Sequence, residues 1–485
     1  FSPGILSGQD MQLLIDTVGI EQTGNTEYEQ WQTVGILSAD LFQLPAGTLG
    51  AAFGIEYRDY SIDDQPSEAS RYGDLWGESS ALVTKGDNNV WEIFGELDIP
   101  ILADKPFVED LTLSLSARAF DYDVGGSDEV WKAGLRWQIT PSFAFRGTAG
   151  TSYRAPGLFE LFLGDQTGFV GQNAIDACIN WGESLNDNIR ANCAADGIAP
   201  DYLGGGSSAT VISGGNGDSL RPETSDAYTI GFVWTPEFTD LNVAVDYFEI
   251  EVSDQIAQLG PAAIVAGCYN GENFPNSFCD LFDRVPANDP QFPNQINTVF
   301  DQYVNINQQL VSGIDINATW AGDYDWGTLE MELQTTWQNE NVFRLFDPDS
   351  VEGFDDTDVV GRIGTPEYVT NFRTTARKGD WSLTYFLQYA SETDNSDIAD
   401  EEFTYFGFEG ARRDITMDAL FVHNFSVFYQ QDKWDVLLGI NNLLDEEPDT
   451  TSAGSGNARR GNVPIIASQY DWLGRRIFGR VNFRF

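Results

Sequence analysis

Apolar and polar residues alternate along most of this chain. In LTLSLSARAF, Leu111, Leu113, Leu115, Ala117 and Ala119 alternate with Thr112, Ser114, Ser116 and Arg118. In VWKAGLRWQI, Trp131, Ala133, Leu135, Trp137 and Ile139 alternate with Lys132, Gly134, Arg136 and Gln138. TLEMELQTTW sets Leu329, Met331, Leu333 and Trp337 against Glu330, Glu332, Gln334 and Thr336. A period of two puts successive side chains on opposite faces of a strand. Read this way, the chain predicts strands at about 30–43, 47–61, 88–102, 110–123, 128–140, 142–155, 223–235 and 241–254. More follow at about 303–321, 327–343, 365–378, 381–394, 414–430, 433–445 and 472–485, fifteen in all. No helical period of useful length competes with them.

The connections sort by length. Short ones, such as LPAG, the Pro141 turn, TPEFTD, AGDYDWG, KGD and QDK, alternate with long ones at about 62–87, 156–222, 255–302, 344–364, 395–413 and 446–471. Only 124–127 is brief where a long one is due. A soluble two-sheet sandwich also has strands with one apolar face, but it does not sort its loops. The predicted fold is therefore all-β: an antiparallel transmembrane β-barrel with short periplasmic turns and long extracellular loops. Trp and Tyr near the apolar strand ends suit its aromatic girdles. The parity makes the last strand run from outside to inside. In GRVNFRF, Val481, Phe483 and Phe485 take the lipid side and Arg480, Asn482 and Arg484 the lumen side, while Phe478 breaks the pattern. A terminal aromatic of this kind resembles the C-terminal signal that outer-membrane proteins present to their assembly machinery, which assigns Phe485, Phe483 and Val481 to it.

Composition narrows the classes. The chain has 26 Lys and Arg against 75 Asp and Glu, a net charge of −49. Nucleic-acid partners are set aside, because phosphate binding needs clustered cations. No apolar run approaches the roughly 18–20 residues of a membrane helix, and no signal peptide opens the chain. Cys178, Cys193, Cys268 and Cys279 lie in polar loop stretches with no C-x-x-C pair. Four cysteines allow three pairings; the local one, Cys178 with Cys193 and Cys268 with Cys279, is favoured as a pair of staples in an oxidising compartment. The lone His423 sits in a strand with no triad around it, and no catalytic set emerges. FDPDSVEGFDDTD offers Asp347, Asp349, Asp355, Asp356 and Asp358 as calcium ligands, without EF-hand spacing. Solvated acidic loops are the plainer reading; no other cofactor or metal is expected.

Several stretches resemble the TonB-dependent receptors, the gated transporters of Gram-negative outer membranes. They are SYRAPGLFELF (Ser152 to Phe162), LRPETSDAYTIGFVW (Leu220 to Trp234), GIDINATW, GINNLLDEEP (Gly439 to Pro448) and YDWLGRRIFGRVNFRF, in the family's order. The resemblance implies an outer-membrane barrel of about 22 strands around a plug. It implies uptake of a scarce oligosaccharide, peptide or ferric siderophore, driven through TonB and its inner-membrane energising complex. Outer-membrane lipid and lipopolysaccharide would surround it. Neither plug nor TonB-binding box is found here, so the 485 residues are expected to be the C-terminal part of a longer chain. A passive plugless pore and a surface binding or structural protein are the alternatives. Candidate lumen-facing cations are Lys132, Arg136, Arg146, Arg154, Arg373, Arg377, Arg476, Arg480 and Arg484. They are expected either to meet a plug or an anionic substrate, or to pair with Glu92, Glu96, Glu330 and Glu332 on neighbouring strands. Phe162, Trp181, Tyr202, Tyr269 and Phe282 are candidate substrate-loop aromatics; packing of the two large loops is their bland role.

Overall fold

The computed structural model of the chain describes residues 8, 11–75, 80–217, 219–344, 356–396, 402–405, 408–413, 415–447, 449, 451–452 and 473–484. Fifteen long strands form the wall: β1 (Asn25–Leu44), β2 (Gly47–Gln65), β3 (Thr84–Lys105), β4 (Val108–Tyr122), β5 (Gly126–Thr140), β6 (Phe143–Arg154), β7 (Glu223–Trp234) and β8 (Asp240–Gln258). They continue with β9 (Ile296–Tyr324), β10 (Gly327–Arg344), β11 (Tyr368–Lys378), β12 (Trp381–Ala390), β13 (Leu420–Gln430), β14 (Trp434–Asn441) and β15 (Arg476–Phe483). Each pairs antiparallel with the next, without a crossover. The sheet has 19 strands. The four beyond the wall, Gln166–Gly171, Ser208–Gly214, Phe282–Arg284 and Thr357–Asp358, belong to outer loops.

This meander follows from the solvent. Hydrocarbon offers no hydrogen bonds, so each backbone N–H and C=O must find its partner in the next strand. Side chains then divide by parity. Trp131, Leu135, Ile230 and Leu438 face outward, between 44% and 61% exposed, as lipid requires and as water would punish. Two aromatic belts bound this face. Trp31, Tyr57, Trp91, Trp131, Tyr228, Trp337 and Tyr368 mark the outer one; Trp137, Trp234, Trp320, Trp326, Trp381, Tyr429 and Trp434 mark the inner one. Neighbouring staves bring these rings together, with Tyr57 and Trp91 centroids 4.6 Å apart and Trp381 and Tyr429 centroids 4.5 Å apart. Along β5 and β12 the belts are six to eight residues apart, roughly 20–26 Å of strand. With strands tilted by roughly 40°, this spans roughly 15–20 Å along the membrane normal, the greater part of an apolar band about 25 Å tall.

Inner turns are tight. At the β9–β10 turn Gly327 has φ +146°, and a Cβ there would strike the Arg377 carbonyl. On the lumen side, glycines sit opposite phenylalanines: Gly54 with Phe94, Phe248 with Gly313, and Gly439 with Phe478. A Cβ at any of the three would collide with the ring. This accounts for Phe478, the residue that breaks the alternation of the last strand: its ring lies over Gly439. Val481 and Phe483 are exposed on the lipid side; Phe485 lies outside the described residues.

Strand ends differ from the sequence reading where long-range partners intervene. β9 begins at Ile296 rather than 303, because Thr298–Gln302 pairs in parallel with Thr210–Gly214. β12 stops at Ala390 and β13 starts at Leu420; Thr393–Asp394 and Thr416–Met417 instead form their own small ladder. Short helices appear in the loops and before β1, notably Met11–Val18, Asp187–Ala195 and Pro261–Asn270.

Placing arginine at Leu135, on the lipid face between the belts, is expected to destabilise the wall by about 2–4 kcal/mol. The same residue at Ser116, on the lumen face, should cost less than half as much. Chemical unfolding of the two variants in lipid vesicles measures the difference.

Candidate functional site

The outer loops between β6 and β7 and between β8 and β9 fold together into one cap. Cys178 is bonded to Cys193 and Cys268 to Cys279, with Cα–Cα distances of 5.7 and 4.9 Å, the local pairing expected from the sequence. Around these staples lies a core of its own, including Ile175, Ile198, Ile264, Val265, Tyr269, Phe282 and Val299. Its sheet is built on the outward extension of β9: Phe282–Arg284 on one side, Ser208–Gly214 on the other, and Gln166–Gly171 beyond that. Phe162 of the first loop packs on Gly86 of β3, which shares parity with the lumen-side Glu92 over an unbroken register, so the base of the cap folds toward the barrel axis rather than out over lipid.

Side chains tie the two loops across long sequence gaps. Gln172 donates to the Ile296 carbonyl at 2.7 Å and accepts from its N–H at 3.0 Å. Asn192 donates to the carbonyls of Tyr269 and Gly271, each at 2.9 Å. Arg284 grips Asp176 with two hydrogen bonds of 2.7 and 2.6 Å and donates to the Tyr269 hydroxyl at 2.8 Å. That hydroxyl donates to Asp196 at 2.6 Å. The Asp176 side chain is fully buried. Burial alone would push the Arg284 guanidinium down, but the Asp176 carboxylate overrides this and holds it above its ordinary range. Burial, aided by the Asp176 charge, pushes the Tyr202 phenol up to about 12.

The substrate-loop aromatics read from the sequence have packing roles here. Tyr269 and Phe282 are buried in the cap core, with Trp181 and Tyr202 packed against it. The Trp181 indole donates to the Ile198 carbonyl at 3.1 Å. Phe162 packs lower down, against Gly86 of β3. Asp356 is paired with Arg344 at 2.8 and 2.7 Å, which holds its carboxyl below the usual range. Asp358 accepts from the N–H groups of Asn341 and Val360; Asp347, Asp349 and Asp355 lie outside the described residues. Among the described residues no group of three or more His, Cys, Asp and Glu is placed to hold a metal ion.

At the cap's base, Arg154 joins two of the quoted stretches. It donates to Glu160 at 2.9 and 2.9 Å and to Glu223 at 2.8 and 2.6 Å. Glu223 also accepts from the Ile256 N–H at 2.7 Å. SYRAPGLFELF and LRPETSDAYTIGFVW thus meet as a clasp that fixes where the cap leaves the wall.

Lumen cations mostly pair with carboxylates on nearby staves, Arg146 reaching past Gly231 of β7 to β8. Arg146 meets Asp246 at 2.7 and 2.5 Å, Arg373 meets Glu332 at 3.1 Å, Arg377 meets Glu330, and Arg484 meets Asp435 at 3.1 Å. Arg136 lies 3.8 Å from Asp110. Lys132 and Arg480 have no such partner among the described residues. Two cations outside the candidate set make the tightest knot. Arg58 and Arg118 both bind the fully buried Glu92 side chain, and the Tyr153 hydroxyl donates to it at 2.8 Å. Arg118 also lies over the Phe94 ring, 4.7 Å from its centroid. The signal was available: Arg118 has lumen parity and Glu92 lies one strand away.

A family model for the TonB-dependent receptor-like β-barrel matches residues 6–443. The chain belongs to this family. It is therefore an outer-membrane β-barrel chain, from a family of receptors and transporters rather than enzymes. Among solved structures it resembles the siderophore receptor PirA of Acinetobacter baumannii, with a TM-score of 0.59 and 14% identity, over 95% of this chain and 55% of that one. It also resembles the ferric enterobactin receptor PfeA of Pseudomonas aeruginosa, with a TM-score of 0.59 and 15% identity, over 94% of this chain and 54% of that one. The chain thus spans about half the length of these receptors. A search of curated proteins finds no match.

Two outcomes are expected in the cap. Replacing Cys178 and Cys193 together by serine should destabilise it by about 3 kcal/mol, the cost of releasing a loop of this length. Hydrogen exchange should then rise in 172–198 while the wall strands stay protected. Asp301 lies well outward of Ile314, the residue opposite the outer-belt Trp337. Burial raises its carboxyl above the ordinary value, against the N–H groups of Gly260 and Leu259. The folded cap then binds this proton more tightly than the unfolded one. Its contribution is full below about pH 4 and is lost as pH rises through the raised value. Exchange protection of Pro261–Asn270, corrected for intrinsic rates, should fall over that window, and Asp301→Asn should flatten the dependence.

Proposed function

We propose that this chain serves TonB-dependent uptake of a scarce nutrient, too large for a pore, across the outer membrane. One observation carries the reading: a stapled, internally packed cap, with its base on the lumen face of β3, crowns a wall that belongs to the TonB-dependent receptor family. Loops that only linked staves would not need a core of their own. In this reading the cap meets the nutrient first, the lumen is the route, and TonB with its inner-membrane energising complex supplies the force. β1 and β15 each pair on one side only among the described residues, and a family barrel has about 22 strands. Both points support a longer receptor in which this wall is the C-terminal part. The nutrient is an oligosaccharide, a peptide or a ferric siderophore. PirA and PfeA are named for siderophores, but a likeness of 14–15% identity concerns the fold alone.

Uptake by cells carrying the native-length receptor tests this. Three labelled probes serve: an oligogalacturonate, an oligopeptide and ferric enterobactin. Entry of at least one should require the receptor, fall at least tenfold without TonB, and stop when a protonophore collapses the inner-membrane gradient. Receptor-dependent entry that ignores TonB would replace the reading with a passive pore. No receptor-dependent entry of any probe would remove the uptake reading for all three nutrient classes.

A further inference from the structure

Most lumen cations meet a carboxylate on a nearby stave. Between β2 and β5 three charges stand apart. Glu96 and Asp98 on β3 and Lys132 on β5 have no hydrogen bond or ion pair among the described residues. Glu96 thus takes no cation, against the expectation from the sequence. All three charges line one recess of about 430 Å³, together with Gly50, Ala52, Ser114 and Ser116. The strand register explains its shape. Ala52 stands opposite Glu96, and Gly50 opposite Asp98. On the other side of β3, Ser116 stands opposite Glu96 and Ser114 opposite Asp98. Lys132 stands opposite Ser116. These positions share the parity of Glu92 over an unbroken register, so they face the lumen.

Small side chains on both sides of the two carboxylates leave the space. The next row outward closes it: Arg118 lies over the Phe94 ring and is held by Glu92, so its charge is already spent. Inside the recess the charges are ordered, with two carboxylates on one side, an ammonium on the other and Ser116 between. Glu96 and Lys132 are two strands apart, roughly 10 Å at ~4.8 Å per strand. Arg146 crosses a gap of the same width to Asp246 over Gly231. Here a serine holds the middle position and the charges stay apart. The Ser114 hydroxyl donates to the Gly134 carbonyl at 3.3 Å, while the Ser116 hydroxyl has no partner among the described residues.

This chemistry discriminates among ligands. Among the described residues no aromatic ring lines the recess, so a sugar or catechol ring has nothing to stack on. An anionic iron chelate would meet two carboxylates for one ammonium. A ligand with a cation and a carboxylate roughly 10 Å apart satisfies all three charges through charge-assisted bonds. An extended peptide advances about 3.3–3.6 Å per residue. A basic residue two places before the last therefore spans the gap, once its side chain and the terminal carboxylate are added. The peptide groups between them reach the serine. The volume lies within the range for small-ligand sites.

We propose that this recess binds the C-terminal end of an oligopeptide that carries a basic residue. The terminal carboxylate meets Lys132, the basic side chain meets Glu96 and Asp98, and a peptide group meets Ser116. The proposal rests on the uptake reading and selects the peptide among its three nutrient classes. Binding itself needs no energy source, so its test is an equilibrium measurement, independent of TonB.

The native-length receptor in detergent is titrated calorimetrically with the peptide acetyl-AAKAA, which has a free C-terminal carboxylate. Two controls each lack one charge: the C-terminal amide of the same peptide, and acetyl-AAQAA with its carboxylate free. The first peptide should bind, and each control at least fivefold more weakly. Lys132→Gln should weaken the first peptide at least fivefold and erase its advantage over the amide, while its advantage over acetyl-AAQAA persists. Glu96→Gln with Asp98→Asn should do the reverse. Heat-modifiable migration on gels confirms that each variant keeps its barrel. Absence of acetyl-AAKAA binding, equal binding of the controls, or differences that neither variant changes overturns the site. So does failure of Ser116→Cys to react with a small thiol reagent, since another part of the receptor then covers the recess. Loss of the site with TonB-dependent entry of any of the three uptake probes intact would leave the uptake reading standing.

Discussion

Everything in this wall depends on one constraint: backbone polar groups in hydrocarbon must be satisfied within the sheet. A strand that meets it has no freedom in its side-chain directions, because successive residues point to opposite faces. Lipid then selects one face and the lumen the other. The aromatic belts follow as well, since rings with a polar edge settle where the apolar band ends. Even the exceptions obey the constraint. Phe478 points into the lumen without disturbing its ladder, because Gly439 opposite it has no side chain to displace.

The cap lies beyond that constraint and must find stability by other means. Its loops are outward of the belts, where water competes for every hydrogen bond. It responds as a small domain does, with a buried apolar cluster and two disulfides. The Asp176–Arg284 pair is a different kind of element. Buried ion pairs contribute little net stability, but losing one partner strands the other charge. Asp176 comes from the first loop and Arg284 from the second. The pair therefore does more to specify how the loops dock than to hold them together, and Tyr269 and Asp196 extend that specification across the cap.

The wall was legible in the sequence because its information is local. Alternation in VWKAGLRWQI needs no knowledge of β4 or β6 to be read. All fifteen wall strands were found this way, with errors confined to their ends. Those errors have one origin. The outward extension of β9 depends on Ser208–Gly214, nearly a hundred residues earlier, and the peeled ends at Thr393 and Thr416 depend on each other. The cap was legible only in its cysteines. Nothing periodic announces that Gln172 will bind the backbone of Ile296, or that Tyr269 will be core rather than surface. The aromatics of the two loops looked available because sequence shows residue type and not burial.

Charge shows the same limit from another side. A net charge of −49 suggested that any lumen cation would stand out. On the ladders most do not, because strands one or two places away offer acids within reach. Arg377 and Arg146 are neutralised by Glu330 and Asp246, and Glu92 takes two arginines at once. Where pairing is complete, the wall has no electrostatic preference to offer a passing molecule. Selectivity inside such a barrel can reside only where the pairing lapses. Among the described residues it lapses at Lys132 and Arg480, lumen-parity cations that no carboxylate meets.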